Sequence, residues 1–169
     1  VSPILGLRIA WLDLHWISGL LLTFLVVAHI IRASFWQDFK SMLLVPKDFG
    51  EPFDSSRKPG KYYFEQKGMH WAVTVVTLAV IVTGVLMFMQ IDTPFWDRTN
   101  SMAEDQLGLV FLLHGLSTLA LVALAATHIY FALRPEKIYY TRAMISGWMS
   151  EDELAANHDP AQWSPKEAD

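Results

Sequence analysis

Residues 9–31 read IAWLDLHWISGLLLTFLVVAHII, and residues 107–133 read LGLVFLLHGLSTLALVALAATHIYFAL. Apart from Asp13, neither stretch holds an acidic or basic residue other than histidine. Both exceed the roughly 20 residues that carry a helix across a bilayer core about 30 Å thick. Inside hydrocarbon, backbone amides have no water to bond, so such stretches cross as helices. Residues 69–89 form a third apolar run of spanning length. The fold expected is all-α, an integral membrane helical bundle with three transmembrane helices and short interfacial helices. A membrane-embedded domain over 1–150 and a polar tail over 151–169 complete it.

Composition agrees. The 169 residues are 53% hydrophobic and 18% charged, too apolar for an ordinary water-soluble domain. Cysteine is absent, which excludes disulfides, thiolate-held iron–sulfur clusters and covalently attached c-type haem. A net charge of −4 and the lack of a phosphate-binding glycine loop point away from nucleic acid and nucleotides. The sequence opens on Val1 rather than methionine, so a preceding segment is expected; the first span is too long for a signal-peptide h-region.

Charge orients the spans. Arg32, Lys40, Lys47, Arg57, Lys58, Lys61 and Lys67 lie between the first and second. Only Arg98, against Asp92, Asp97, Glu104 and Asp105, lies between the second and third. Arg134, Lys137, Arg142 and Lys166 follow the third. The positive-inside rule then places the N-terminus outside and the C-terminus in the cytoplasm of a bacterial inner membrane. Phe35, Trp36, Phe39, Met42 and Leu43 recur at helical spacing, predicting a short amphipathic surface helix. Residues 138–149 predict another, 45–60 a proline- and glycine-rich connector, and the polar tail is expected to be loose or to pack on a partner.

Two of the spans carry histidine pairs fourteen residues apart, His15 with His29 and His114 with His128. Fourteen residues fall about 40° short of four helical turns and rise roughly 21 Å. Each span therefore presents one imidazole towards each membrane side, on one face. The faces read His15, Ser18, Gly19, Leu22, Val26, His29 and His114, Ser117, Thr118, Leu121, Ala125, His128. The two spans run parallel, so His15 pairs in depth with His114 at the outer level, and His29 with His128 at the inner. A single membrane histidine often just bonds a neighbouring helix. Four at matched intervals and depths point instead to two stacked bis-histidine haem b groups. Zinc fits less well, since each level offers two imidazoles and no third ligand. With both axial positions filled, such iron transfers electrons and does not bind oxygen.

Other residues are candidates by position. Arg8, Arg32 and Arg134 lie near the haem levels, where they can pair propionates or snorkel to headgroups. His70 opens the second span near Gln66 and Lys67, as an interfacial or quinone-site residue. Glu65, Lys67 and His70 are candidate proton carriers. His158 lies in the tail and is not expected to be a ligand. No residue is assigned a catalytic role.

The segment Lys61–Phe88, KYYFEQKGMHWAVTVVTLAVIVTGVLMF, resembles the third helix of the gamma subunit of membrane-bound formate dehydrogenases. It shares a K-Y-x3-Q-K stretch followed by an aromatic residue and a V-T-G-V turn. The third span is similar to that family's last helix, which carries two haem-ligating histidines at this interval. His15 with Gly19 resembles the start of its second helix, and NHDPAQW (157–163) its H-x-P-x-x-W ending. The resemblance runs from about Leu14 to Trp163. It implies that His15 and His114 bind an outer haem and His128 an inner one. That family has four spans, the first supplying an inner ligand; here His29 takes that place by spacing alone, unless a preceding helix supplies it. The resemblance also implies a quinone pocket around Tyr63, Glu65, Gln66 and His128, with Tyr63 where an asparagine is usual.

Together these features describe a membrane-anchoring dihaem cytochrome b subunit. It would carry electrons between an outer iron–sulfur or multihaem cytochrome subunit and menaquinone or ubiquinone in the bilayer, in either direction. The same scaffold can serve a hydrogenase, a thiosulfate reductase or a multihaem cytochrome c. A haem-free anchor or assembly protein is the alternative of another class; a transporter is disfavoured, as no inverted repeat or broken helix is apparent.

Overall fold

The computed structural model describes residues 2–4, 7–36, 39–54, 58–159 and 161–163, and for 2–4, 7–9, 36 and 51 the backbone alone. Its elements are strands β1 (Ser2–Ile4) and β2 (Leu7–Ile9) and helices α1 (Trp11–Trp36), α2 (Phe64–Phe88), α3 (Glu104–Leu133), α4 (Ile138–Ser146) and α5 (Glu151–Asn157). Three helices, α1, α2 and α3, are long and apolar enough to cross a membrane. At 1.5 Å per residue the 30 residues of α3 extend about 45 Å, well past a bilayer core.

The apolar side chains of these helices point outward. Phe24 and Leu119 are each 68% exposed, and among the described residues of these three helices Val110 is the one buried apolar side chain. The buried positions of the spans include hydroxyls, with Thr77 at 9% and Thr83 at 7% exposure. Water would not tolerate so large an apolar surface; lipid does, and it drives hydroxyls towards other helices. Thr23, Ser34, Thr74 and Thr127 satisfy their hydroxyls on the carbonyl four residues back.

Contacts divide the chain into two units, Val1–Gln37 with Val75–Leu121 and Asp38–Thr74 with Val122–Asp169. In the first, β1 pairs antiparallel with β2, Pro3 opposite Arg8. This pairing was not foreseen, and it moves the start of the first helix from Ile9 to Trp11. Leu14 N–H then bonds Ala10 O at 3.1 Å. Phe88 packs against Trp16 at 5.4 Å and Trp96 at 4.5 Å, the kind of aromatic group that settles at a membrane interface. Gln106 starts α3 by accepting the Ala103 N–H at 3.1 Å, half of a capping box.

In the second unit, Gln66 does the same for Tyr63 at 2.9 Å. That cap lets α2 begin at Phe64, five residues ahead of the apolar run. Residues 37–38 of the expected amphipathic surface helix lie outside the described residues; Phe39–Met42 forms a single 3-10 turn instead. The connector contains a second 3-10 segment, Pro46–Phe53. It is fixed by Asp48, which is 2% exposed and bonds Lys67 at 2.8 Å and the Val45 N–H at 2.8 Å. Trp71 Nε1–H donates to Met42 O at 3.0 Å.

Of the polar tail, expected to be loose or to pack on a partner, residues 151–159 and 161–163 are described, and they pack against the connector and α4. A capping box between Ser150 and Glu153 starts α5, after Gly147 ends α4 at φ 78°. Asp159 N–H bonds Pro59 O at 2.9 Å, and Lys47 Nζ donates to Gln162 Oε1 at 2.9 Å. His158, 1% exposed, donates from Nδ1 to Gly60 O at 2.7 Å and accepts the Tyr140 hydroxyl at Nε2 over 3.2 Å. Burial first, then the neighbouring Tyr139, pushes the Tyr140 phenol far above its ordinary pKa, so it stays a donor.

Removing Asp48 would leave the Lys67 ammonium buried and unpaired. Asp48→Ala is expected to lower stability by about 3–5 kcal/mol in a detergent unfolding titration, and Asp48→Leu with Lys67→Met by much less. An Asp48→Ala protein as stable as its parent would contradict this.

Candidate functional site

α1 carries His15 one turn from its start, and α3 carries His114 near its first third. Their imidazoles meet within the first unit, with ring centroids 6.1 Å apart and planes at 84°. α2 enters at the same level through Thr83 and Gly84. Thr83 Oγ1 lies 2.9 Å from His114 Nδ1. A Cβ on Gly84 would come within 3.3 Å of His114 Cε1, so only glycine lets α2 and the ring approach so closely without displacement. Beyond His15, a Cβ on Gly19 would meet no atom within 4 Å, and the same holds at Gly115 beside His114.

The remaining expected residues fall elsewhere. His29 is an exposed residue of α1 in the first unit, and His128 an exposed residue of α3 in the second. Arg32 is exposed on α1. Arg134 follows α3 and bonds Glu136 through Nε at 3.1 Å; the side chain of Arg8 lies outside those described. Tyr63 donates its hydroxyl to Asn157 O at 3.0 Å, under Lys137 Nζ at 4.3 Å from its ring. His70 stacks edge-on against Trp71 at 6.0 Å, and Glu65 is exposed in the first turn of α2. Lys67 is committed to Asp48. Among the described residues no group of three histidine, cysteine or acidic side chains is placed to hold a metal ion.

A family model for prokaryotic cytochrome b561 matches residues 3–147. The chain belongs to the prokaryotic cytochrome b561 family. Membership makes this cytochrome b561 relative an integral membrane cytochrome b of electron transport, a class whose cofactor is haem b. The formate dehydrogenase cytochrome b556(fdo) subunit of Escherichia coli (strain K12) is 26% identical over 126 residues, 75% of this chain and 52% of that protein. The same subunit of Escherichia coli O157:H7 matches to the same extent. The chain thus spans about half the length of the curated relatives it matches. No solved structure matches it.

Haem fits the residues of this cytochrome b561. The imidazoles of His15 and His114, with ring centroids 6.1 Å apart, are the pair that would hold it. Thr83 and Gly84 carry no site signal in the sequence beyond the V-T-G-V turn: 31 residues separate Thr83 from His114, and no local spacing connects them.

Proposed function

We propose that the chain is the membrane-anchoring dihaem cytochrome b subunit of a respiratory oxidoreductase complex. It carries electrons across a bacterial inner membrane between a redox partner at the outer face and the quinone pool. The observation that supports this best is the His15–His114 pair, 6.1 Å apart, in a chain of the cytochrome b561 family. Bis-histidine haem b supplies reversible one-electron storage with no open coordination position. His15 and His114 would hold the outer group. His29 and His128 would hold the inner one, on the fourteen-residue interval that repeats in both helices.

The chain's own residues define the rest. Arg8, Arg32 and Arg134 would neutralise propionates; Arg134 would leave Glu136 to do so. Tyr63, Gln66 and His70, close in sequence around the start of α2, would line a quinone site taking menaquinone or ubiquinone. Glu65 is the accessible proton carrier there, since Lys67 is held by Asp48. The acidic α2–α3 connector would face outside and the C-terminus the cytoplasm. The relatives are cytochrome b556 subunits of formate dehydrogenase, which favours a partner from a complex of that type.

His114→Leu tests the pairing. It is expected to remove one of two haems, leaving the other reducible by quinol; retention of both would contradict the assignment. Tyr63→Phe is expected to keep both haems and weaken binding of a quinone analogue severalfold. An unchanged inhibitor titration would remove Tyr63 from the site.

A further inference from the structure

Thr83 is only 7% exposed, five residues from the end of α2 and between apolar residues 78–82 and 85–88. Its hydroxyl has one proton and three neighbours: Ala79 O at 2.6 Å, Val80 O at 3.2 Å and His114 Nδ1 at 2.9 Å. Carbonyl oxygens only accept, so the proton goes to Ala79, the shortest of these contacts. With its proton on Ala79 O, the hydroxyl oxygen offers a lone pair to His114 in the tautomer that carries its hydrogen on Nδ1. That tautomer leaves Nε2 without a proton, as a ligand to a metal requires. Gly84, next in sequence, removes the side chain that would crowd the same ring from Cε1 at 3.3 Å.

We propose that Thr83 is a positioning residue for haem ligation, acting through His114. It fixes the Nε2-ligating tautomer and the rotation of the ring, and it strengthens His114 as a donor by accepting the Nδ1 hydrogen. Such outer partners commonly set the orientation and basicity of a ligating histidine. The inference rests on the haem reading above and adds to it a residue of the preceding helix, 31 positions earlier in sequence. Thr77, the other buried hydroxyl of the same helix, has no such contact with a histidine among the described residues. Helix packing alone would need only the shape of the Thr83 side chain; ligand positioning needs its oxygen.

The test separates the two. Thr83→Val keeps the shape and removes the acceptor, and Thr83→Ser keeps the acceptor and removes the methyl. Both are compared with the unaltered protein, isolated from membranes, by haem content, redox potentiometry and low-temperature EPR. Thr83→Val is expected to shift the potential of one haem upward, because a weaker imidazole donor favours ferrous iron, and to move the low-spin EPR signal of that haem alone. Loss of that haem alone would support the inference equally. Thr83→Ser is expected to retain the parent potential and signal. Gly84→Ala, which presses on the same ring without touching the hydrogen bond, is expected to perturb the same EPR signal. Parent potentials and signals in Thr83→Val, or equal shifts in Thr83→Val and Thr83→Ser, would overturn the role of the hydroxyl. An unaltered protein without haem would overturn the haem reading itself, a different and separately visible failure.

Discussion

An imidazole in hydrocarbon must be given partners, and at the level of His114 the three long helices supply them. Hydrocarbon offers no hydrogen bonds, so hydroxyls such as Thr23 and Thr127 turn back on their own helix, and Thr83 faces His114. α2 brings Thr83 to Nδ1 of His114, and α1 brings His15 to within 6.1 Å of the same ring. Gly84 lies against the ring, and Gly19 and Gly115 have open flanks. A protein folding in water would bury these helices in a core. Here lipid takes the place of that core, and the interior is left for polar chemistry.

The second unit is stabilised differently. Its polar segments hold one another by a buried ion pair and by hydrogen bonds to backbone carbonyls. Asp48 fixes the connector to Lys67, and His158 joins the tail to Gly60 while Trp163 packs on its ring at 5.0 Å. The residues that close this clamp include Tyr63, so the region proposed for quinone is framed by the tail. A change in the tail would therefore reach the start of α2 through the Tyr63–Asn157 hydrogen bond.

The three spans were legible because a bilayer demands long apolar runs, and nothing else in the chain imitates them. Their ends were less so. β1–β2 pairing shortens the expected start of α1, and the Gln66 cap extends α2 into a polar segment, both local effects that hydropathy averages away. The fourteen-residue interval led to His15 and His114 as facing residues, since helical geometry makes depth readable from spacing. Thr83 was not legible, because its importance comes from a residue on another helix. The packing of residues 155–159 was not legible for the same reason: their polarity suggested solvent, whereas their hydrogen bonds run to residues about a hundred positions earlier.

The most direct test of the account is the number of non-covalent haem b groups per chain, taken from the reduced pyridine haemochrome spectrum of the intact protein purified from membranes. Two per chain is the predicted result, one for each histidine level. None in a fully folded preparation would contradict the account at its centre, and one would limit it to the pair formed by His15 and His114.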